Sequence, residues 1–293
     1  MRKKFFYFTV DVEVASKKKY FNHKKVFNHL LLFEKKIDYI QKTLKKKIPI
    51  TWFLRCDDTV KYELGSEDAF LHRIKNFIQR RKKKGDCFGF HPHLYEMKKK
   101  KWLLIKNKSV LKKKLTIFIN SWIGFFWDQK RICRIGDLYM NNCILKILND
   151  NHFYIDSTAL PGRKRVDDFF LFDWLKTNNQ PYYPSVKNYQ VTGANVRKIL
   201  ELPISTIKFK SSYDKSEVIR YLNPAFKNSY LNNSINISRF NKNIVSLTHP
   251  FEFLNLRKNK NNLFSQSIDE IISNFKLIFK SNYKIKFKSL ENF

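Results

Sequence analysis

Cysteine, glycine, proline and acidic residues are all scarce in this chain. Its 293 residues include 4 Cys, 7 Gly and 8 Pro. The cysteines, Cys56, Cys87, Cys133 and Cys143, form no CxxC pair. That excludes a disulfide framework and a zinc knuckle. Cys87 and Cys133 sit beside strand-like runs and read as core thiols, so a reducing compartment is expected. With so little Gly and Pro there is no Gly/Ser-rich or Pro-rich linker, and no internal repeat is visible. One domain over 1–293 is therefore expected. Long hydrophobic runs are also missing. The longest, LTIFINSWIGFFW (Leu115–Trp127), is too short to span a bilayer. The N-terminal MRKKFFYFTVDVEVAS begins like a secretory leader, but Asp11 and Glu13 interrupt it and no small-residue cleavage site follows. A soluble cytoplasmic protein is expected, with peripheral contact at an anionic membrane surface as an addition.

The shortage of acid leaves 58 basic against 25 acidic residues, a formal charge of +33. Such a balance favours polyanionic partners. The lysines, however, are spread in short runs such as Lys45–Lys47, Lys82–Lys84, Lys98–Lys101 and Lys112–Lys114. With Asn, Phe and Ile also abundant, this pattern follows AT-rich codons and reads as solvated helix faces. No dedicated nucleic-acid site is expected. Apolar residues make up 43% and aromatics 16%, enough for a sizeable core.

Apolar periodicity alternates along the chain. Strands are expected at Phe5–Val12, Ile48–Leu54, Asp86–Phe90, Ile132–Ile135, Phe153–Asp156, Ile199–Leu202, Ile244–Thr248 and near Tyr283–Phe287. Helices are expected at Val26–Lys46, Glu67–Lys83, from Ser109 through Phe118 and beyond, Leu138–Leu148 and Ser267–Lys280, the last opened by a Ser267/Glu270 capping box. The region 163–195 reads as loop. Strands alternating with helices imply a parallel sheet, and about seven such units imply an α/β fold, a distorted (β/α) barrel. In a barrel, chemistry gathers where strands end.

Polar and titratable residues stand at those ends. Asp11 and Glu13 close the first strand and, two apart, share one face. His91 and His93, two of only seven histidines, follow the third around Pro92. The fourth ends at Arg134 and Gly136, Asp156 ends the fifth, and His249 follows a later one. Singly each has an ordinary structural explanation, such as a cap, a turn or a surface ion pair. Jointly, two imidazoles and a carboxylate suit a divalent metal such as zinc, nickel, cobalt or iron. A further carboxylate suits a general base.

TVDVE (Thr9–Glu13), TWFL (Thr51–Leu54), FGFHPHLYE (Phe88–Glu96), RIGDLYMN (Arg134–Asn141) with NHFYIDST (Asn151–Thr158), and LTHPFE (Leu247–Glu252) occur in the order found in the polysaccharide deacetylase family, carbohydrate esterase family four, which this chain resembles over nearly its whole length. The resemblance implies a distorted barrel of about seven strands and metal-assisted removal of acetyl groups from acetylated sugars. By position it makes Asp11 the catalytic base, Arg134 its positioner, His249 the general acid and Asp156 the acid that orients His249. Glu13, His91 and His93 would be the metal ligands. Two features differ from the family pattern. Val12 separates the first-strand carboxylates, and the histidines stand two apart, with Tyr95 where the later one would fall. Trp174, Tyr182 and Tyr183 are candidates for stacking on sugar, with core packing as the other reading. The implied substrate is an acetylated carbohydrate, lipid-linked in a cytoplasmic step of cell-surface polysaccharide synthesis. The alternatives are a metal-independent amide hydrolase of the same fold, a degenerate glycan-binding or polyanion-binding member, and a metal-dependent phosphoesterase or amidohydrolase.

Overall fold

The computed structural model describes residues 3–13, 21–167, 170–255, 263–280 and 283–293. Met1, Arg2 and Val14–Ser16 of the stretch weighed as a leader lie outside it, as do Asp168 and Phe169 of the region read as loop. The first strand, β1 (Lys3–Val12), is buried on both faces from Phe6 onward. This matches its near-continuous apolar run, the pattern of a central parallel strand. The other barrel strands are β2 (Ile50–Leu54), β3 (Cys87–Phe90), β4 (Ile132–Cys133), β5 (Ile155–Asp156), β6 (Leu200–Glu201), β7 (Asn243–Thr248) and β8 (Lys284–Phe287). They form one sheet in the order β6-β5-β4-β3-β2-β1-β7, with β8 paired to the start of β1. Every pairing in it is parallel.

The sheet curls into a half-barrel. Its free edges approach at Ser205, whose N–H donates to the Val245 carbonyl at 2.9 Å while the Val245 N–H donates to Ser205 Oγ at 3.0 Å. Alternation along the strands sorts the side chains into two cores. Phe6, Phe8, Val10 and Val12 face outward into the larger core beneath the helices. Tyr7, Phe53, Cys87, Ile132, Ile155, Leu202 and Val245, from strands or strand ends around the ring, pack with Leu290 as a separate small cluster filling the interior. Thr9 and Asp11 continue the inward face of β1 above Tyr7, which sets the base of the site.

Helix α1 (His23–Leu44) buries Val26, Leu30, Phe33, Ile37 and Ile40 at three- and four-residue spacing against the outer face. Each such side chain contributes about 1.5–3 kcal/mol. The helix expected over Glu67–Lys83 is two, Ala69–Arg73 and Lys75–Lys83, parted at Ile74. Helix α2 (Lys108–Phe125) contains most of the longest apolar stretch. Helix α3 (Asn142–Asp150) begins later than expected, because Asn141 caps it by accepting the Ile144 N–H. Helix α4 (Ile268–Phe279) is capped by Ser267 as expected, but Glu270 accepts from Asn228 N and Gln266 N, not Ser267 N. Among the described residues no helix is long and apolar enough to cross a membrane. Cys56, Cys87 and Cys133 are buried free thiols.

Among the described residues, three antiparallel hairpins interrupt the α/β pattern: Tyr95–Lys98 with Lys101–Leu104, Lys164–Val166 with Leu171–Asp173, and Thr206–Phe209 with Val218–Tyr221. The second falls in the region read as loop, and the third was also unexpected. Both reach the rim where the inward strand ends converge.

Candidate active site

Asp11, the last inward residue of β1, is nearly buried and accepts a 2.8 Å hydrogen bond from Arg134 Nη1. Arg134 is fully buried and fixed on every side. The same Nη1 donates to Thr9 Oγ1, Nε donates to the Ser157 carbonyl and Nη2 donates to Ser157 Oγ. Its guanidinium carbon lies 4.3 Å from the Phe53 ring centre. Arg134 held this way is paired with Asp11, which aims that carboxylate at the rim.

His91 follows β3 and donates from Nδ1 to the Arg134 carbonyl at 2.7 Å. Its Nε2 therefore carries the lone pair. That atom is buried without a hydrogen-bond partner, 3.9 Å from both Asp11 Oδ2 and Glu13 Oε2. Burial is the main cause that pulls His91 down to about 4, so it is a neutral ligand at ordinary pH. Its lone pair faces carboxylate oxygens, and a cation is what such a gap accommodates.

His93 is placed by two neighbours. Its N–H donates to Asp57 Oδ2 at 3.0 Å, and its ring lies flat against Gly136. A Cβ on residue 136 would fall 2.1 Å from His93 Cδ2, which explains glycine in the RIGD stretch. His93 Nε2 is 2.7 Å from Glu13 Oε2, and Nδ1 is 3.5 Å from Asp137 Oδ2. Burial and Arg55 oppose a charge on His93, but Glu13 and Asp137 prevail and raise it to about 9. Burial likewise opposes the Glu13 anion, yet His93 and His249 hold that carboxyl well below its usual range. Glu13, His91 and His93 each present a ligand atom within 4.8 Å of the others, a candidate metal-binding triad. The donor set fits a divalent ion, which would enter in exchange for the His93 proton.

His249 follows β7 and faces Glu13 Oε1 across 3.2 Å with Nε2. The acid behind its Nδ1 is Glu252, at 2.9 Å. Glu252 also accepts from the His249 N–H, from Tyr221 Oη and from Asn223 Nδ2. Burial opposes protonation of His249, but Glu252 and Glu13 outweigh it and the imidazole rises well above its ordinary value. It stands as a protonated donor at neutral pH.

Asp156 lies elsewhere. It is fully buried, accepts from Thr158 Oγ1 at 2.5 Å, and neighbours Cys133 and Glu201. Thr158 in turn accepts the Ile135 N–H, so this cluster braces the segment after Arg134. The acid that contacts His249 is thus Glu252, not Asp156. Glu252 has a sequence signal: three residues after an N-cap position, with Pro at the first helical position, it reaches back to the cap N–H as in a capping box. Asp57 and Arg55 also went unread. Asp57 caps the helix Asp58–Leu64 and holds Arg55 Nε at 2.5 Å, and Arg55 Nη1 lies 3.5 Å from Glu13 Oε2.

Asp11, Glu13, His91, Asp137 and His249 line one cavity of about 360 Å³. Trp174 and Tyr182 do not. They are 1% and 7% exposed, with hydrogen bonds to the Leu138 and Tyr189 carbonyls, and belong to the core. Tyr183 is 47% exposed but also does not line the cavity. The aromatic lining comes from Phe170, Phe172, Tyr221, Phe226 and Phe251.

No family model matches the chain, and no curated protein matches it. Among solved structures it is similar to a protein from Mycobacterium smegmatis described as a polysaccharide deacetylase. The TM-score is 0.54 at 16% identity, over 99% of this chain and 88% of the other. A CE4 family pseudoenzyme from Bacillus anthracis gives 0.42 at 12% identity, over 99% of this chain and 65% of that one. A protein from Bordetella bronchiseptica described as a polysaccharide deacetylase involved in O-antigen biosynthesis gives 0.38 at 11%, over 93% and 90%. The first of these likenesses identifies the architecture, and the chain has a polysaccharide deacetylase-like fold.

Proposed function

We propose that the protein is a hydrolase that removes the acetyl group from an N-acetylated sugar of a polysaccharide or glycolipid precursor. One observation carries this reading. An arginine-locked carboxylate, Asp11, and a carboxylate-flanked imidazole, His249, line the same cavity, with Glu13, His91 and His93 beside them. Asp11 takes a proton from the attacking water as the water oxygen bonds to the acetyl carbon. Arg134 keeps that carboxylate aimed through its 2.8 Å hydrogen bond. His249 gives its proton to the departing nitrogen as the C–N bond breaks, and Glu252 stabilises the charged imidazole beforehand. The products are acetate and an amino sugar. A divalent ion, zinc in the first instance, would be held by Glu13, His91 and His93 and would supply Lewis-acid stabilisation of charge on the carbonyl oxygen. We place this activity in the cytoplasm, on a lipid-linked precursor, in peripheral contact with an anionic membrane. Of these, the charge of +33 bears only on the membrane contact, which it favours.

A second reading, hydrolysis without metal, is favoured by Arg55, whose guanidinium stands 3.5 Å from Glu13 and provides a fixed positive charge next to the triad. The deciding experiment is acetate release from a panel of N-acetylated sugars, with and without chelator. The metal-assisted reading expects release that chelator abolishes and zinc restores. Release indifferent to chelator selects the second reading, and no release from any sugar defeats both.

A further inference from the structure

The cavity has two electrically opposite ends. Asp11, Glu13 and Asp137 line it beside the strand ends, whereas Arg165 and Arg220 line it from the two rim hairpins and Arg163 from the residue before the first of them. Gly162 and the hairpin registers bring them there. Gly162 sits at φ +77°, a conformation that side chains disfavour, and a Cβ on it would fall 2.9 Å from Ile219 Cδ1. That close approach sets Arg163 beside the third hairpin, where its Nη1 donates to the Ile219 carbonyl at 2.5 Å.

The three guanidinium groups are incompletely balanced. Arg165 donates Nε to Asp167 and lies 3.9 Å over the Phe170 ring. Arg220 donates Nη2 to Asp214 and lies over Phe209, while its Nε is buried without a partner. Arg163 has no carboxylate partner among the described residues. Burial first, then Arg220 and Arg165, lower its affinity for a proton. Arg163 and Arg220 are partly buried and Arg165 is exposed beside them. Partly buried like charges gathered in this way are unfavourable unless an anion joins them, and planar guanidinium forks suit phosphate oxygens. Asp167 and Asp214 balance two of the three guanidinium groups, and a neutral sugar polymer would leave Arg163 without a counter-charge.

We infer that the substrate is a glycosyl phosphate, whose phosphate docks on Arg163, Arg165 and Arg220 while its acetamido group reaches Asp11 and His249. The placing of the acetamido group rests on the proposed hydrolase reading; the phosphate site does not. One phosphate chemistry could come from a sugar 1-phosphate, a nucleotide diphosphate sugar or a lipid diphosphate sugar.

The test is titration calorimetry with N-acetylglucosamine and N-acetylglucosamine 1-phosphate, on the wild type and on Arg163→Gln, Arg163→Lys and Arg220→Gln. Thermal unfolding checks that each variant is folded. The phosphorylated sugar should bind at least about tenfold tighter, inorganic phosphate should compete, and each Gln substitution should erase most of that ratio while Arg163→Lys retains part of it. Equal binding of the two sugars by the wild type, or a ratio untouched by both Gln substitutions, overturns the inference. Uridine diphosphate and short-chain prenyl diphosphate N-acetylglucosamine form two further arms, and whichever binds more tightly identifies the carrier. Parallel acetate assays separate the two claims. Phosphate-dependent binding without acetate release from any sugar keeps this inference and defeats the hydrolase reading. Acetate release with no phosphate preference does the reverse.

Discussion

At the scale of single residues, the site is a set of buried charged groups held in pairs. Arg134 and Asp11 are one such pair, and His249 between Glu13 and Glu252 is another. A third buried group plays a different role. Glu201 beside Asp156 is raised well above the ordinary carboxyl range, by burial first and then by the Asp156 charge. It therefore keeps its proton in the folded chain at pH values where the unfolded chain releases it. That contribution to stability is complete below the ordinary carboxyl pKa and is lost as pH rises through the folded value. Glu201→Gln cannot titrate, yet it preserves an acceptor for the Ala159 N–H, which Glu201 Oε1 accepts at 3.0 Å. Thermal unfolding at about pH 5 and about pH 8 should show the variant gaining on the wild type at the higher pH. Parallel behaviour at both pH values would refute the raised Glu201 carboxyl. Residue identities at strand ends were legible in the sequence because polar groups there interrupt apolar runs. The pairing of His249 was not, since the Glu252 link is an i,i+3 contact that competes with ordinary helix capping.

At the scale of elements, the long strands and α1 could be read directly. β1 carries a continuous apolar run and α1 a regular apolar stripe, so tertiary burial and local pattern agree. The rim hairpins could not be read. Lys164–Val166 is exposed throughout and Thr206–Phe209 is only four residues long, so neither shows enough alternation to stand out from loop. These same hairpins carry the arginines of the cavity mouth, so the feature bearing on substrate choice was the least legible one. The turn after β4 tests how closely elements must approach. Gly136 lies under the His93 ring, and its N–H donates to the Pro92 carbonyl at 2.9 Å. Gly136→Ala should cost about 1–3 kcal/mol of stability through overpacking, and moving His93 should reduce acetate release more than tenfold. Urea unfolding together with the acetate assay checks both. Wild-type values in the two measurements would show that His93 does not depend on this contact.

At the scale of the whole molecule, a curled sheet brings residues more than 200 positions apart in sequence into one cavity, with Asp11 from β1 and His249 from just after β7. The β1–β7 pairing, from Phe5 opposite Asn243 to Val10 opposite Thr248, puts the ends of both strands on the same rim. That parallel register is why order along the chain becomes proximity in space. The net charge of +33 lies mostly on dispersed lysines and does not define the site; the three arginines at the mouth do so locally.

The central claim is that Asp11 is the base of a sugar-deacetylating site. It is tested most directly by measuring acetate release from the best N-acetylated substrate with wild type and Asp11→Asn. Asn retains an oxygen for Arg134 but cannot take a proton. The account predicts that release falls by about 10²- to 10⁴-fold while the folded secondary structure is unchanged. Release by the variant at the wild-type rate would contradict it.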